Sequence, residues 1–238
     1  MRSFRNVSAV VMAAGALGAS VTSAAAQVVY TTGSPPDCPG NAWEMSGFNE
    51  AMSFVLDADA GVTGAHIWTT FQNGEDPLPD NGFKGFFDWT FFADDGSGLP
   101  GAVIASGRSV PTLTSRDVWG PGFDLSEWDV PMAPTTLSAG TRYWLGLHNT
   151  SASGDYTITN LYWCGSVGPN TNPPSASQFG GTGAWVSNPE TDADYFGYGN
   201  RLAMSLYATP TTVPEPSGLA LLGTGIVGVV PFVRRKRR

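Results

Sequence analysis

His66 and His148 are the only imidazoles in the chain, and neither stands in a spacing that assembles a site by itself. There is no His-Glu-x-x-His run, no His-x-His pair and no Gly-x-Ser-x-Gly elbow around a nucleophile. A triad is built in space rather than along the chain, but two ordinary strand histidines are the simpler reading. Carboxylates come in pairs: Asp57 with Asp59, Asp94 with Asp95, and Asp192 with Asp194. A glycosidase needs two such groups facing each other across a cleft, and acidic turns can gather the oxygens that calcium takes. Asp57-Ala58-Asp59 opens like a calcium loop, yet Gly61 and Val62 stand where the next ligand and the glycine belong. Solvated turns account for all three pairs. No catalytic residue, metal ligand or cofactor is predicted, with calcium at Asp94 and Asp95 as a minor alternative.

Aromatic side chains are the better lead. The chain has 8 tryptophans, more than an ordinary small core requires, and a ring lying flat on a surface can stack on the C–H face of a sugar. Trp89 and Trp144 lie on strand patterns and read as packing. Trp119, Trp128 and Trp185 lie in looser segments, and "YFGYG" at 195–199 gathers three rings in a glycine-rich stretch. Trp185, Tyr195 and Tyr198 are the candidate glycan-stacking residues. Buried aromatic corners are the commoner use of such rings.

These residues are positioned by strands. Short runs rich in aromatic and β-branched residues are separated by turn signals, with no sustained helical period. The pattern predicts strands at Met52–Asp57, Val62–Phe71, Phe86–Ala93, Ala102–Ser106, Thr141–Asn149, Ile158–Cys164 and Leu202–Ala208. Weaker signals mark Val28–Thr32, Gly122–Val130 and Ala184–Val186. Phe87, Trp89 and Phe91 share one face of a strand; Tyr143, Leu145 and Leu147 share another, opposite Trp144 and His148. Many short antiparallel strands joined by tight turns such as "ADDGSGLPG" at 93–101 indicate an all-β domain, a single antiparallel β-sandwich or jelly roll, over residues 27–209.

The two ends read differently. Arg2 and Arg5 precede a small, apolar run from Val7 to Val21, and Ala24-Ala25-Ala26 offers a cleavage site between Ala26 and Gln27. Residues 1–26 are thus predicted to be a signal helix removed by signal peptidase. Export places Cys38 and Cys164, the only cysteines, in an oxidising compartment where a disulfide can form. Seven of the 12 basic residues lie in the two ends, which leaves five against all 20 acidic residues between Asp37 and Glu215, a balance of −15. Such a surface repels phosphate backbones and argues against nucleic acid.

Residues 210–238 form the tail. Leu219–Val233 is fifteen uncharged residues followed by Arg234, Arg235, Lys236, Arg237 and Arg238. As a helix that stretch would measure about 22 Å at about 1.5 Å per residue, against a hydrocarbon core of about 30 Å. A transmembrane segment over 218–233 is therefore short, and glycine-rich besides. The basic cluster stays cytoplasmic and leaves the body outside.

Val-Pro-Glu-Pro-Ser at 213–217, the apolar stretch beginning Leu219-Ala220-Leu221-Leu222-Gly223, and the terminal basic cluster together resemble the PEP-CTERM sorting signal. The resemblance implies recognition by a membrane enzyme, an exosortase, with Pro214, Glu215 and Pro216 as the recognition element. It also implies a Gram-negative bacterial protein associated with extracellular polysaccharide, anchored by its tail until processed. The stretches "WTFFADDGSGLPGAVIASG" and "LSAGTRYWLGLHN" resemble a β-sandwich module of exported bacterial proteins, which implies a jelly-roll-like fold reminiscent of carbohydrate-binding modules.

Two functions follow. The first is a non-enzymatic cell-envelope or matrix protein in contact with exopolysaccharide. The alternative is a secreted polysaccharide hydrolase on the same scaffold. The missing catalytic motifs favour the first.

Overall fold

Large apolar side chains at every second position leave the intervening residues to form a second face, and this alternation organises the whole body. The computed structural model describes residues 26–35, 38, 42–72, 82–118, 123–166, 175–188 and 201–209, and within them the chain is all strand and loop. In chain order the strands are β1 (Gln27–Thr31), β2 (Ala42–Glu44), β3 (Phe48–Val55), β4 (Ala60–Gln72), β5 (Phe86–Asp94), β6 (Pro100–Ser109) and β7 (Thr112–Val118). There follow β8 (Phe123–Leu137), β9 (Arg142–Thr150), β10 (Leu161–Ser166), β11 (Ser175–Phe179), β12 (Val186–Ser187), β13 (Arg201–Leu202) and β14 (Met204–Ala208).

They pair into two antiparallel sheets. In the first, β4 is bordered by β8 along its whole length on one edge. On the other edge β14 covers its first half and β10 its second. β7 lies outside β8, β1 outside β14, and β2 and β13 outside β10. The second sheet runs β12-β11-β3-β9-β5-β6. One hydrophobic cluster draws on both sheets: Met52 and Phe54 of β3, Phe87 and Phe91 of β5, and Leu145 and Leu147 of β9 pack with Ile67, Trp128, Met204 and Leu206 of the first sheet. Phe87 meets Trp128 edge-on, with ring centroids 5.9 Å apart.

The strongly alternating strands lie where the sequence predicts them, with informative differences at their ends. The segment expected to begin at Ile158 becomes a strand only at Leu161, because Asn160 adopts φ 60°, a left-handed conformation that a ladder cannot continue. β8 runs past its expected end at Val130 through Pro131 and Pro134. The register there jumps from Gly64↔Pro131 to Val62↔Thr135, so the prolines, which have no N–H to donate, fall in an irregular stretch of the pairing. The run expected over Leu202–Ala208 is interrupted at Ala203, whose N–H is given instead to the Cys164 carbonyl at 2.7 Å.

The tryptophan excess is largely structural. Trp89, Trp128, Trp144 and Trp163 are buried, and each indole N–H has an acceptor: Ser109, Thr69, Asp94 and the Ala203 carbonyl respectively. Trp128, expected in a looser segment, is a β8 core residue. Cys38 and Cys164 form a disulfide with their Cα atoms 5.0 Å apart. The expected signal helix, the tail helix over 218–233 and its basic cluster lie outside the described residues. Among the described residues, no helix is long and apolar enough to cross a membrane.

Candidate functional site

The faces of β3, β5 and β9 turned away from the common core are not fully solvated. Ala51, Phe92, Trp144 and Ala176 form a second cluster there, with Leu99 and Trp185 packed against it. Trp185, reached by the chain after β11, meets Phe92 edge-on at 5.3 Å between centroids. Beside this cluster the sheet surface is open. A groove of about 400 Å³ is lined by Asn49, Asp88, Thr90, Ser106, Arg108 and Tyr156, with Phe92 and Gly146 on its floor. Strand register places these side chains together: Asp88 pairs with Arg108 and Thr90 with Ser106, while Thr90 also pairs with Gly146. Gly146 must lack a side chain, since a Cβ there would stand 2.8 Å from Phe92 Cε2.

One wall of the groove is a loop that a distant lysine holds in place. Lys84 Nζ donates to the Asp155 and Thr157 carbonyls at 3.0 and 3.1 Å and pairs with the Asp155 carboxylate. Lys84, followed by the Ser151 hydroxyl, holds the Asp155 carboxyl far below the usual carboxylate range. The loop so fixed presents Tyr156, 36% exposed. Its ring stacks on His148 with centroids 3.9 Å apart and planes 11° from parallel. Burial pushes the His148 imidazole down from its ordinary pKa, opposed by the hydrogen bond from Nε2 to the Ser46 carbonyl. Tyr156 Oη donates to Asn49 Oδ1 at 3.3 Å, Asn49 Nδ2 to Gln178 Oε1 at 2.9 Å, and Gln178 Nε2 to the Gly183 carbonyl at 2.8 Å. A relay of side chains thus joins the Tyr156 loop to the loop that carries Trp185.

On β5 and β6, Arg108 and Asp88 form a two-point ion pair, Nε to Oδ1 at 2.6 Å and Nη2 to Oδ2 at 2.9 Å. Arg108 Nη1 donates to the Ala152 carbonyl at 3.0 Å. An exposed ring, two hydroxyls, an amide and a carboxylate–guanidinium pair on one shallow surface can bind a molecule that offers both C–H faces and hydroxyls.

The other candidate groups are placed apart from this groove. His66 of β4 lies on the first sheet with Nδ1 2.7 Å from Asp129 Oδ1 and Nε2 3.2 Å from Glu127 Oε2, its ring set edge-on to Trp68. Both ring nitrogens therefore face carboxylates. Asp94 accepts from the Gly96 N–H and Asp95 from the N–H groups of Ser97 and Leu99, so these acids close their own turn. Asp59 accepts from the Ala139 N–H at 2.7 Å. Among the described residues, no group of three or more His, Cys, Asp or Glu side chains could hold a metal ion. Tyr195, Tyr198, Asp192 and Asp194 lie outside the described residues, as do Pro214, Glu215 and Pro216. Ala26 and Gln27 are exposed, and Gln27 opens β1 opposite Ala208.

One group carries no motif. Glu50 is only 2% exposed and shares its face of β3 with Met52 and Phe54. Its Oε2 accepts from Ser177 Oγ at 2.7 Å and Asn188 Nδ2 at 3.2 Å. Burial pushes its carboxyl up to about 8. Period-two counting back from Phe54 would have found it.

Comparison with known proteins bears on the tail alone. No curated protein matches the chain. Residues 212–238 match the family model of the PEP-CTERM protein-sorting motif, and this match supports an exported protein that is sorted by an exosortase.

Proposed function

We propose that the chain is a cell-envelope or extracellular-matrix protein of a Gram-negative bacterium, with a non-enzymatic jelly-roll-like β-sandwich body that contacts glycan. In this reading signal peptidase cuts between Ala26 and Gln27. The 218–233 helix then holds the body outside the inner membrane until an exosortase acts on the tail, and exopolysaccharide is the extracellular partner. The sorting motif supports the route. The shared core of two antiparallel sheets supports the sandwich. The groove that combines Tyr156, Asn49, Thr90 and Ser106 is the observation that carries glycan contact.

The test is retention of the purified, exported chain on exopolysaccharide from a host that bears such sorting signals. Tyr156→Ala and Trp185→Ala are expected to elute early while melting like the parent. Unchanged retention in both would remove the groove from the reading. Release of reducing ends by the parent, abolished in Asp88→Asn, would replace it with the hydrolase.

A further inference from the structure

Within the glycan-contact reading, on which this step rests, we infer that the groove selects neutral polysaccharide and rejects chains bearing uronate, sulfate or phosphate. Charge accounting in the groove carries the inference. Among the described residues lining it, Arg108 is the one basic side chain, and its charge is matched locally. Both carboxylate oxygens of Asp88 take its N–H groups, and the Ala152 carbonyl takes another. Lys84, which anchors the Tyr156 loop, is committed to Asp155 and two carbonyls. An anionic sugar would therefore find no uncompensated cation among the described residues that line the groove. It would instead approach a protein with an acid excess of 15 between Asp37 and Glu215, a summed charge that repels anions.

A neutral pyranose meets no such barrier. Its C–H face suits the exposed ring of Tyr156, and its hydroxyls suit the Asn49 amide and the cross-strand hydroxyls of Thr90 and Ser106. The neutralised Asp88–Arg108 pair still offers polar atoms without a net field. Specificity then comes from what the groove withholds as much as from what it offers.

The experiment is affinity electrophoresis of the full exported chain in gels containing a neutral glucan, a neutral mannan, a polyuronate or a sulfated galactan, each at low and physiological salt. The expected result is retardation by at least one neutral polymer, unchanged by salt and weakened about tenfold or more in Tyr156→Ala. Asp88→Asn uncovers the Arg108 charge and is expected to gain salt-sensitive retardation by the polyuronate. The double variant Asp88→Asn with Arg108→Gln is expected to lose that gain while melting like the parent, which separates charge from misfolding. Parent binding to the polyuronate or sulfated polymer in preference to both neutral ones would overturn the inference while leaving glycan contact standing. No retardation by any polymer would overturn both.

Discussion

The His148 imidazole and the Tyr156 phenol lie face to face, 3.9 Å between centroids, and so join a buried strand position to an exposed loop ring. The imidazole is held below its ordinary pKa by burial, so the folded protein binds the neutral form. Stability on this account is complete above the unfolded value of about 6.5. It falls as pH drops toward the lowered folded value, because the unfolded chain takes up the proton first. Thermal melts across that interval should show the loss, and His148→Gln should shrink the slope. An equal slope in parent and variant would assign the acid sensitivity elsewhere.

Glu50 acts at the other end of the pH scale. Its carboxyl is raised from an ordinary 4.5 to about 8 by burial, so the folded state retains a proton that the unfolded state has lost. The stability it contributes is present below about 4.5 and drains away as pH rises toward about 8. Glu50→Gln, which keeps an acceptor for Ser177 and Asn188, should melt higher than the parent at alkaline pH and flatten the profile.

Lys84 is a positioning residue for Tyr156. Lys84→Met leaves the Asp155 carboxylate and two loop carbonyls without their donor. Amide exchange should accelerate over 151–159 while the strands of the first sheet keep their protection. Glycan retention should fall together with that local change. Retention unchanged despite a loosened loop would show that Tyr156 does not need to be held.

The Cys38–Cys164 bridge spans a sequence separation of 126 residues. In the chain-entropy model, closing so long a loop contributes on the order of 4–5 kcal/mol. The double Cys→Ser variant should therefore melt well below the oxidised parent, and the reduced parent should approach the variant.

The tail makes a prediction independent of the body. Glu215→Ala with Pro216→Ala should leave the protein unprocessed in the membrane fraction of an exosortase-bearing host, whereas the parent loses its C-terminal fragment. Immunoblots against both ends of the chain distinguish the two states.

What the sequence could and could not announce follows from where each signal resides. β5 and β9 were plain because Phe87, Trp89 and Phe91, and Leu145 and Leu147, repeat with the pleat. β2, β7 and β11 were not foreseen. β2 is three residues held by its pairing with β10. β7 has "TLTSRDV", whose described side chains are exposed, so it has no apolar face to count. β11, "SASQF", is mostly small and polar, with register supplied by β3. The groove divides in the same way. Trp185 was visible as an aromatic in loose sequence, whereas nothing in the local pattern singled out Tyr156. Its placement depends on Lys84, 71 positions earlier for the nearer anchor at Asp155, and local pattern has no access to such a partner.

The placement of the last strand fixes how the body would respond to a pull on its C-terminal end. β14 lies between β1 and β4, hydrogen-bonded on both edges, and the chain leaves it at Thr209 toward the tail. A pull from an anchored C-terminus must draw Met204–Ala208 out from between two neighbours instead of peeling away a border strand. Met204 and Leu206 are meanwhile rooted in the same core as β3, β5 and β9. Tension between a tether at one end and a polymer gripped on the second sheet would therefore pass through the interior of the body as a whole.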